Sequence, residues 1–158
     1  MAVDFSKFDE QVDSNVLGKE VEEAKKNGGF EDLPKGKYVV SVEKMEIGAT
    51  KGDGRPMFTL QCKVKEGEYK GRNVFMNRVI YGNKSEKWDD AKAIASVITI
   101  LDKLQTSIEP EFYNYSQFVD NVLDIYEEIE GKIEISIDYD AKSFNPISFT
   151  PEDVYDVA

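Results

Sequence analysis

The chain has 158 residues, 41% of them hydrophobic and 11% aromatic, with a net charge of −11. That is enough for one folded domain with a real core, and it excludes a disordered polymer. There is no histidine and one cysteine, Cys62, which excludes histidine-based triads, histidine-ligated zinc, four-cysteine metal clusters within one chain and an internal disulfide.

The first stretch, to about Asn27, contains "GKEVEEAKKNGG", a short helical piece ended by Gly28 and Gly29. The opening "MAVDFSKFDEQVDSN" lacks the basic and apolar regions of a signal peptide. No apolar run approaches the ~18 residues of a membrane span. The expected location is therefore the cytoplasm, with no membrane partner.

"LPKGK" turns into a first strand, "KYVVSVEKMEI". Tyr38, Val40 and Val42 share one parity, whereas Met45 and Ile47 share the other. A phase switch inside one strand predicts a β-bulge or sharp bend. "GATKGDGRP" is a turn, since it lacks the GK[ST] end of a phosphate loop. In "MFTLQCKVK", Phe58, Leu60, Cys62 and Val64 alternate with Met57, Thr59, Gln61, Lys63 and Lys65, the pattern of a half-buried antiparallel strand. After a hairpin region with Gly67 and Gly71 comes a third strand, "RNVFMNRVIY". Both of its parities carry apolar residues, so its inward face stays open.

A helix follows, with Ser85 or Asn83 as cap, Asp89 and Asp90 near its start, and a stripe of Trp88, Ala91, Ile94, Ala95, Ile98 and Leu101. Beyond Pro110, "SQFVDNVLDIYEEIEG" predicts a second helix with Phe118, Val122, Ile125, Tyr126 and Ile129 on one side, ended by Gly131. "KIEISIDYD" alternates through Ile133, Ile135, Ile137 and Tyr139, and "ISF" starts a last short strand. The acidic end, "TPEDVYDVA", reads as a loose tail.

Three strands, a two-helix insert and two strands give a mainly β, α+β fold, in the chain order of an OB-fold: a five-stranded, partly open antiparallel barrel whose second and third strands form the usual nucleic-acid face. The expected organisation is an N-terminal helical arm over residues 1–34, an OB-like domain over 35–150 and an acidic tail over 151–158.

Charge separates along the same boundaries. Residues 1–34 hold 4 Lys/Arg and 9 Asp/Glu, residues 35–87 hold 12 and 6, and residues 88–158 hold 4 and 16. All three arginines, Arg55, Arg72 and Arg78, lie in the basic centre. This polarity suits an anion-binding face on a protein whose other surfaces repel nucleic acid.

"DFSKFD" and "LPKGKYVVSVEKMEIGATKGDGRPMFTLQCKVKEGEYKGRNVFMNRVI" resemble a family of small proteins from phages and prophages of Gram-positive bacteria, first catalogued as a domain of unknown function. The resemblance covers roughly residues 4–105 and is most specific in "KGKYVVSVEKMEI" and "EGEYKGRNVFMN". It implies single-stranded-DNA binding in a replication or recombination module, with phage replication or recombination proteins as partners. It supplies no catalytic motif.

The site is argued from physical chemistry. A sequence-independent single-strand binder needs cations along a groove and aromatic rings for stacking. The basic centre offers Lys63 and Lys65 on the second strand, Arg72 and Arg78 on the third, and Lys51 and Arg55 in the first loop. Candidate stackers are Phe75, Tyr81 and Tyr69. Phe75 and Arg78 have opposite parity, so on a regular strand they cannot both face one ligand. One such barrel covers few nucleotides, which makes a homo-oligomer an expectation. No cofactor, metal or catalytic residue is expected, and no enzyme.

Two other readings compete. An acidic interaction module or DNA mimic would use the −11 charge against a host nucleic-acid enzyme. A metal-dependent nuclease would use Asp53 with Glu68 and Lys70. Calcium at Asp138 and Asp140 fails because the EF-hand spacing and its glycine are missing. The tail ends in Val157 and Ala158 rather than the bulky residue that closes bacterial single-strand-binding tails.

Overall fold

A computed structural model describes residues 33–157. Residues 1–32 of the expected helical arm lie outside them. From Pro34 onward the described chain forms one unit.

Its elements are β1 (Gly36–Ala49), β2 (Pro56–Val64), β3 (Asn73–Val79), helix α1 (Asp90–Lys103), helix α2 (Tyr115–Ile129), β4 (Ile133–Tyr139), β5 (Ile147–Ser148), a 3₁₀ turn (Pro151–Asp153) and β6 (Val154–Asp156). The strands make one antiparallel sheet in the order β3-β2-β1-β4-β5, with β6 also paired to β4. Among the described residues, no helix is long and apolar enough to cross a membrane.

The phase switch in β1 is a bulge. Val42 pairs with Cys62 but Lys44 pairs with Gln61, so Glu43 is the extra residue. Val40 and Val42 before it, and Met45 and Ile47 after it, are all buried. The bulge moves one register so that both halves of the strand can face one core. Its carbonyl has a partner: the Tyr126 hydroxyl on α2 donates to Glu43 O at 2.6 Å. Tyr126→Phe removes that donor and is expected to cost about 1 kcal/mol, read as a shift in the urea midpoint.

β1 is also the corner of the sheet. Gly36–Val40 pair with β4 and Val40–Ala49 with β2, so Val40 has a neighbour on each side. The expected closure into a five-stranded barrel is not observed. The sheet has six strands and stays open: β3 and β5 lie side by side without a ladder.

The expected loose tail is instead part of the fold. Thr150 N donates to Asp153 Oδ2 at 2.9 Å, β6 pairs with Ile133–Ile135, and Val157 N donates to Lys132 O. An acidic run of this composition reads as solvated, but the backbone of β4 offers an edge that needs covering.

Both helices lie between β3 and β4, as expected. α2 buries Phe118, Val122, Ile125 and Ile129, the predicted stripe, with Tyr126 half-buried at its margin. α1 differs in detail. Its N-cap is Asp89, which accepts from Lys92 N at 2.9 Å, rather than Ser85 or Asn83. Its buried stripe is Ala93, Ile94, Val97, Ile100 and Leu101, with Ala91 and Ala95 exposed. Ile94 and Leu101 are common to both stripes, Trp88 and Ile98 are half-buried at the margin, and the centre of the buried face is turned toward Ala93, Val97 and Ile100.

Cys62 belongs to the core beneath β2. Burial, and then the charge of Glu43, push its thiol up to about 12. Since the thiolate is the reactive form, a thiol reagent at pH 8 is expected to label Cys62 only at the rate of unfolding.

Candidate nucleic-acid interface

Burial along β2 and β3 assigns the two faces. On β2, Phe58, Leu60, Cys62 and Val64 point inward, leaving Met57, Thr59, Gln61 and Lys63 outward. On β3, Val74, Met76 and Arg78 are buried, while Phe75 and Asn77 are exposed. The open parity of the third strand is thereby fixed: Phe75 faces out and Arg78 faces in.

Register then builds the outer face row by row. Lys63 lies opposite Asn73, Gln61 opposite Phe75, Thr59 opposite Asn77 and Met57 opposite Val79. The bulge adds β1 to the same rows, with Lys44 beside Gln61 and Glu46 beside Thr59. Lys44 and Glu46 pair at 3.2 Å. The row Lys44–Gln61–Phe75 puts a cation, an amide and a half-exposed phenyl ring side by side across three strands. From Met57 to Lys63 this face runs for ~20 Å.

At one end of the ribbon is the β1–β2 loop. Thr50 N donates to Arg55 O at 2.9 Å, and Arg55 Nε lies 2.8 Å from Asp53 Oδ2. The Thr50 hydroxyl, with the nearby Arg55 guanidinium, holds the Asp53 carboxyl below its usual range. Lys51 is exposed at the tip of this turn. Arg55 Nη1 donates to Tyr81 O, and the exposed Tyr81 ring sits edge-on to Tyr115 at 5.8 Å. Arg55 and Tyr81 thus meet beyond Met57 and Val79, with Lys51 exposed on the same loop as Arg55.

At the other end is the β2–β3 loop. Gly71 N and Val64 N tie its base through Val64 O and Arg72 O. Gly71 has φ +92°, a turn position suited to glycine. The half-buried Tyr69 ring meets Tyr38 edge-on at 6.1 Å, and the Arg72 guanidinium lies 5.8 Å from the Tyr69 centroid. Tyr69 also lines a groove of about 430 Å³ with Lys37, Tyr38, Val39 and Ser136, toward β1 and β4, and with the carboxylates of Glu66 and Glu68 on the loop itself.

Two candidates do not share the face. Lys65 keeps the outward parity of Lys63, but β2 has ended, and Lys65 N donates to Val39 O. Its groove is lined by Glu43, Glu130 and Glu134, carboxylates that repel a phosphate. Arg78 is 7% exposed and sits inside. It donates to Ser96 Oγ at 2.9 Å, to Phe144 O at 2.8 Å and to Asn145 Oδ1 at 3.0 Å. The Phe144 and Trp88 rings stack against it at 4.4 and 5.5 Å. Burial lowers its pKa.

Lys44, Gln61, Asn73 and Asn77 join the face without having been among the candidates. The polar parity of β2 already contained Gln61. Lys44 was hidden by the bulge, which reverses its parity relative to Ser41.

The nuclease reading loses its site. Asp53 and Glu68 lie beyond opposite ends of β2, on the order of 25 Å apart along the strand, too far to share one ion. Among the described residues, no group of three or more histidine, cysteine, aspartate or glutamate side chains is placed to hold a metal.

A family model described as a protein of unknown function, DUF669, matches residues 19–150, and the chain belongs to this family. No characterised protein and no solved structure gives a significant match.

Proposed function

We propose that this DUF669 member binds single-stranded DNA without sequence preference, along the outer face of β2 and β3, and serves phage DNA replication or recombination. The observation that carries the reading is Phe75: a phenyl ring 50% exposed midway along the edge strand β3, with Gln61, Asn73, Asn77 and Lys63 around it on the same face. An exposed aromatic there adds nothing to the core. It offers a stacking platform that any base can use, and the amides and lysines around it suit phosphates and base edges.

The strand order supports the same reading. It is that of an OB barrel opened between its third and fifth strands, and in that fold the outer surface of the second and third strands carries nucleic acid. We read Lys51, Arg55 and Tyr81 as one end of the track and the Tyr69–Arg72 pair as the other. The resemblance to phage single-strand-binding proteins sets the biological context.

The experiment is fluorescence anisotropy of a labelled oligothymidine at several salt concentrations, with a duplex of equal length as control. Tight binding that weakens with salt, and little binding to the duplex, is expected. Failure to bind either at tens of micromolar protein would sink the proposal. Lys63→Gln should flatten the salt dependence by about 0.7 in log–log slope, one phosphate contact. Lys65→Gln should leave the slope unchanged, because its groove is lined by carboxylates.

A further inference from the structure

Helix α2 presents a second surface that the DNA-binding reading does not use. Successive residues rotate by about 100° around a helix, so the face opposite Phe118, Val122, Ile125 and Ile129 carries Val119, Leu123, Asp120, Asp124 and Glu127. All five are exposed, Val119 by 37% and Leu123 by 42%. Val119 and Leu123, four residues apart, form a short apolar ridge, and the three carboxylates run along one side of it.

The charge around this ridge has one sign. From Gln105 to Gly131 the sequence contains no lysine or arginine but holds Glu109, Glu111, Asp120, Asp124, Glu127, Glu128 and Glu130. Among the described residues, none of these is in an ion pair. Glu127 and Glu128 stand in the last turn of α2, at the negative end of the helix dipole, with no basic residue in that turn; Glu128 accepts from the Ser107 backbone N–H and hydroxyl and feels the Lys132 charge, whereas Glu127 is exposed on the ridge side. The dipole alone favours a basic residue at that end, so Glu127, beside the ridge, suits a cation supplied from outside.

We propose that this face docks a basic amphipathic helix of a partner protein, whose apolar residues pack on Val119 and Leu123 and whose lysines or arginines meet Asp120, Asp124 and Glu127. An i, i+4 ridge is the feature that one helix inserts between the side chains of another. The like charge of the fringe rejects nucleic acid and acidic partners. Protein and DNA would then occupy separate surfaces, which allows the protein to hold a strand and a partner at once.

The test uses the full chain and a synthetic amphipathic helical peptide of leucine and lysine, with a second peptide in which alanine replaces leucine. Amide shifts in ¹H–¹⁵N spectra of the wild-type protein should map the first peptide to residues 116–127, and the alanine peptide should bind more weakly. Val119→Ser with Leu123→Ser, and separately Asp120→Asn with Asp124→Asn, should each weaken the first peptide by about tenfold, leaving oligothymidine affinity unchanged. Shifts spread over the other acidic elements, or equal binding of both peptides, would overturn the proposal in favour of unspecific charge attraction. A wild-type dimer that dissociates on the serine substitutions, seen by sedimentation, would overturn it too, by making the face an interface between two copies. Because oligothymidine binding is read in the same variants, loss of the DNA reading and loss of this one are distinguishable.

Discussion

Phe75→Ala is expected to lower oligothymidine affinity about 5- to 150-fold, the range that corresponds to 1–3 kcal/mol for one stacked base. The thermal midpoint should hardly move. Phe75 is half-exposed on the outer face, opposite Gln61 of β2, and fills no core position. Removing an exposed ring from a sheet costs a few tenths of a kcal/mol up to about 1, so affinity and stability should separate. Phe75→Tyr or Trp should retain affinity, since stacking needs a π face and not a particular ring. Val79→Ala, on the same parity but at the end of the face, is the control and should change little. If Phe75→Ala bound as wild type while Tyr81→Ala did not, the track would run from the β1–β2 loop away from the sheet. Full affinity in both variants would leave the sheet face without a stacking role.

The parts of this fold that were legible in the sequence are those where burial has a single period. The alternation of Phe58, Leu60, Cys62 and Val64 gave β2, that of Ile133 to Tyr139 gave β4, and the stripe from Phe118 to Ile129 gave α2. The bulge at Glu43 was legible because it breaks such a period once and then resumes it. What stayed hidden depends on partners distant in the chain. β3 carries apolar residues on both faces because an arginine fills one core position while a phenylalanine occupies a solvent position, the reverse of the usual assignment. β6 is three residues long, and only its register with Ile133–Ile135 makes it a strand. The fate of Lys65 depended on where the chain turned after Val64, which no local pattern encodes.

Arg78→Ala is expected to lower stability by about 3 kcal/mol, a fall of about 10 °C in the thermal midpoint for a domain of this size. Arg78 reaches from β3 to three places at once: the Ser96 hydroxyl on α1, the Phe144 carbonyl and the Asn145 amide oxygen in the β4–β5 loop. Two of these bonds tie β3 to the loop that leads into β5, and the third ties it to α1, so the side chain fastens an edge where no backbone ladder forms. Each bond to a charged donor is worth ~1.5–3 kcal/mol, and the sum is reduced because burial of the guanidinium is itself costly. That cost shows in the lowered pKa, and no carboxylate within salt-bridge distance offsets it among the described residues. The rings of Phe144 and Trp88, set edge-to-face against each other, supply part of the compensation as two cation–π contacts. Arg78→Lys keeps the charge but cannot reach three acceptors with a planar fork, so it should fall well short of wild type. Phe144→Ala should couple to it: in a double-mutant cycle the double variant should lose less stability than the sum of the two single losses. Below the lowered midpoint, every one of these variants should bind oligothymidine as wild type does, because Arg78 points away from the face that carries Phe75. An Arg78→Ala protein that melted normally yet failed to bind would place the guanidinium on the DNA track and reverse the assignment of the two faces of β3.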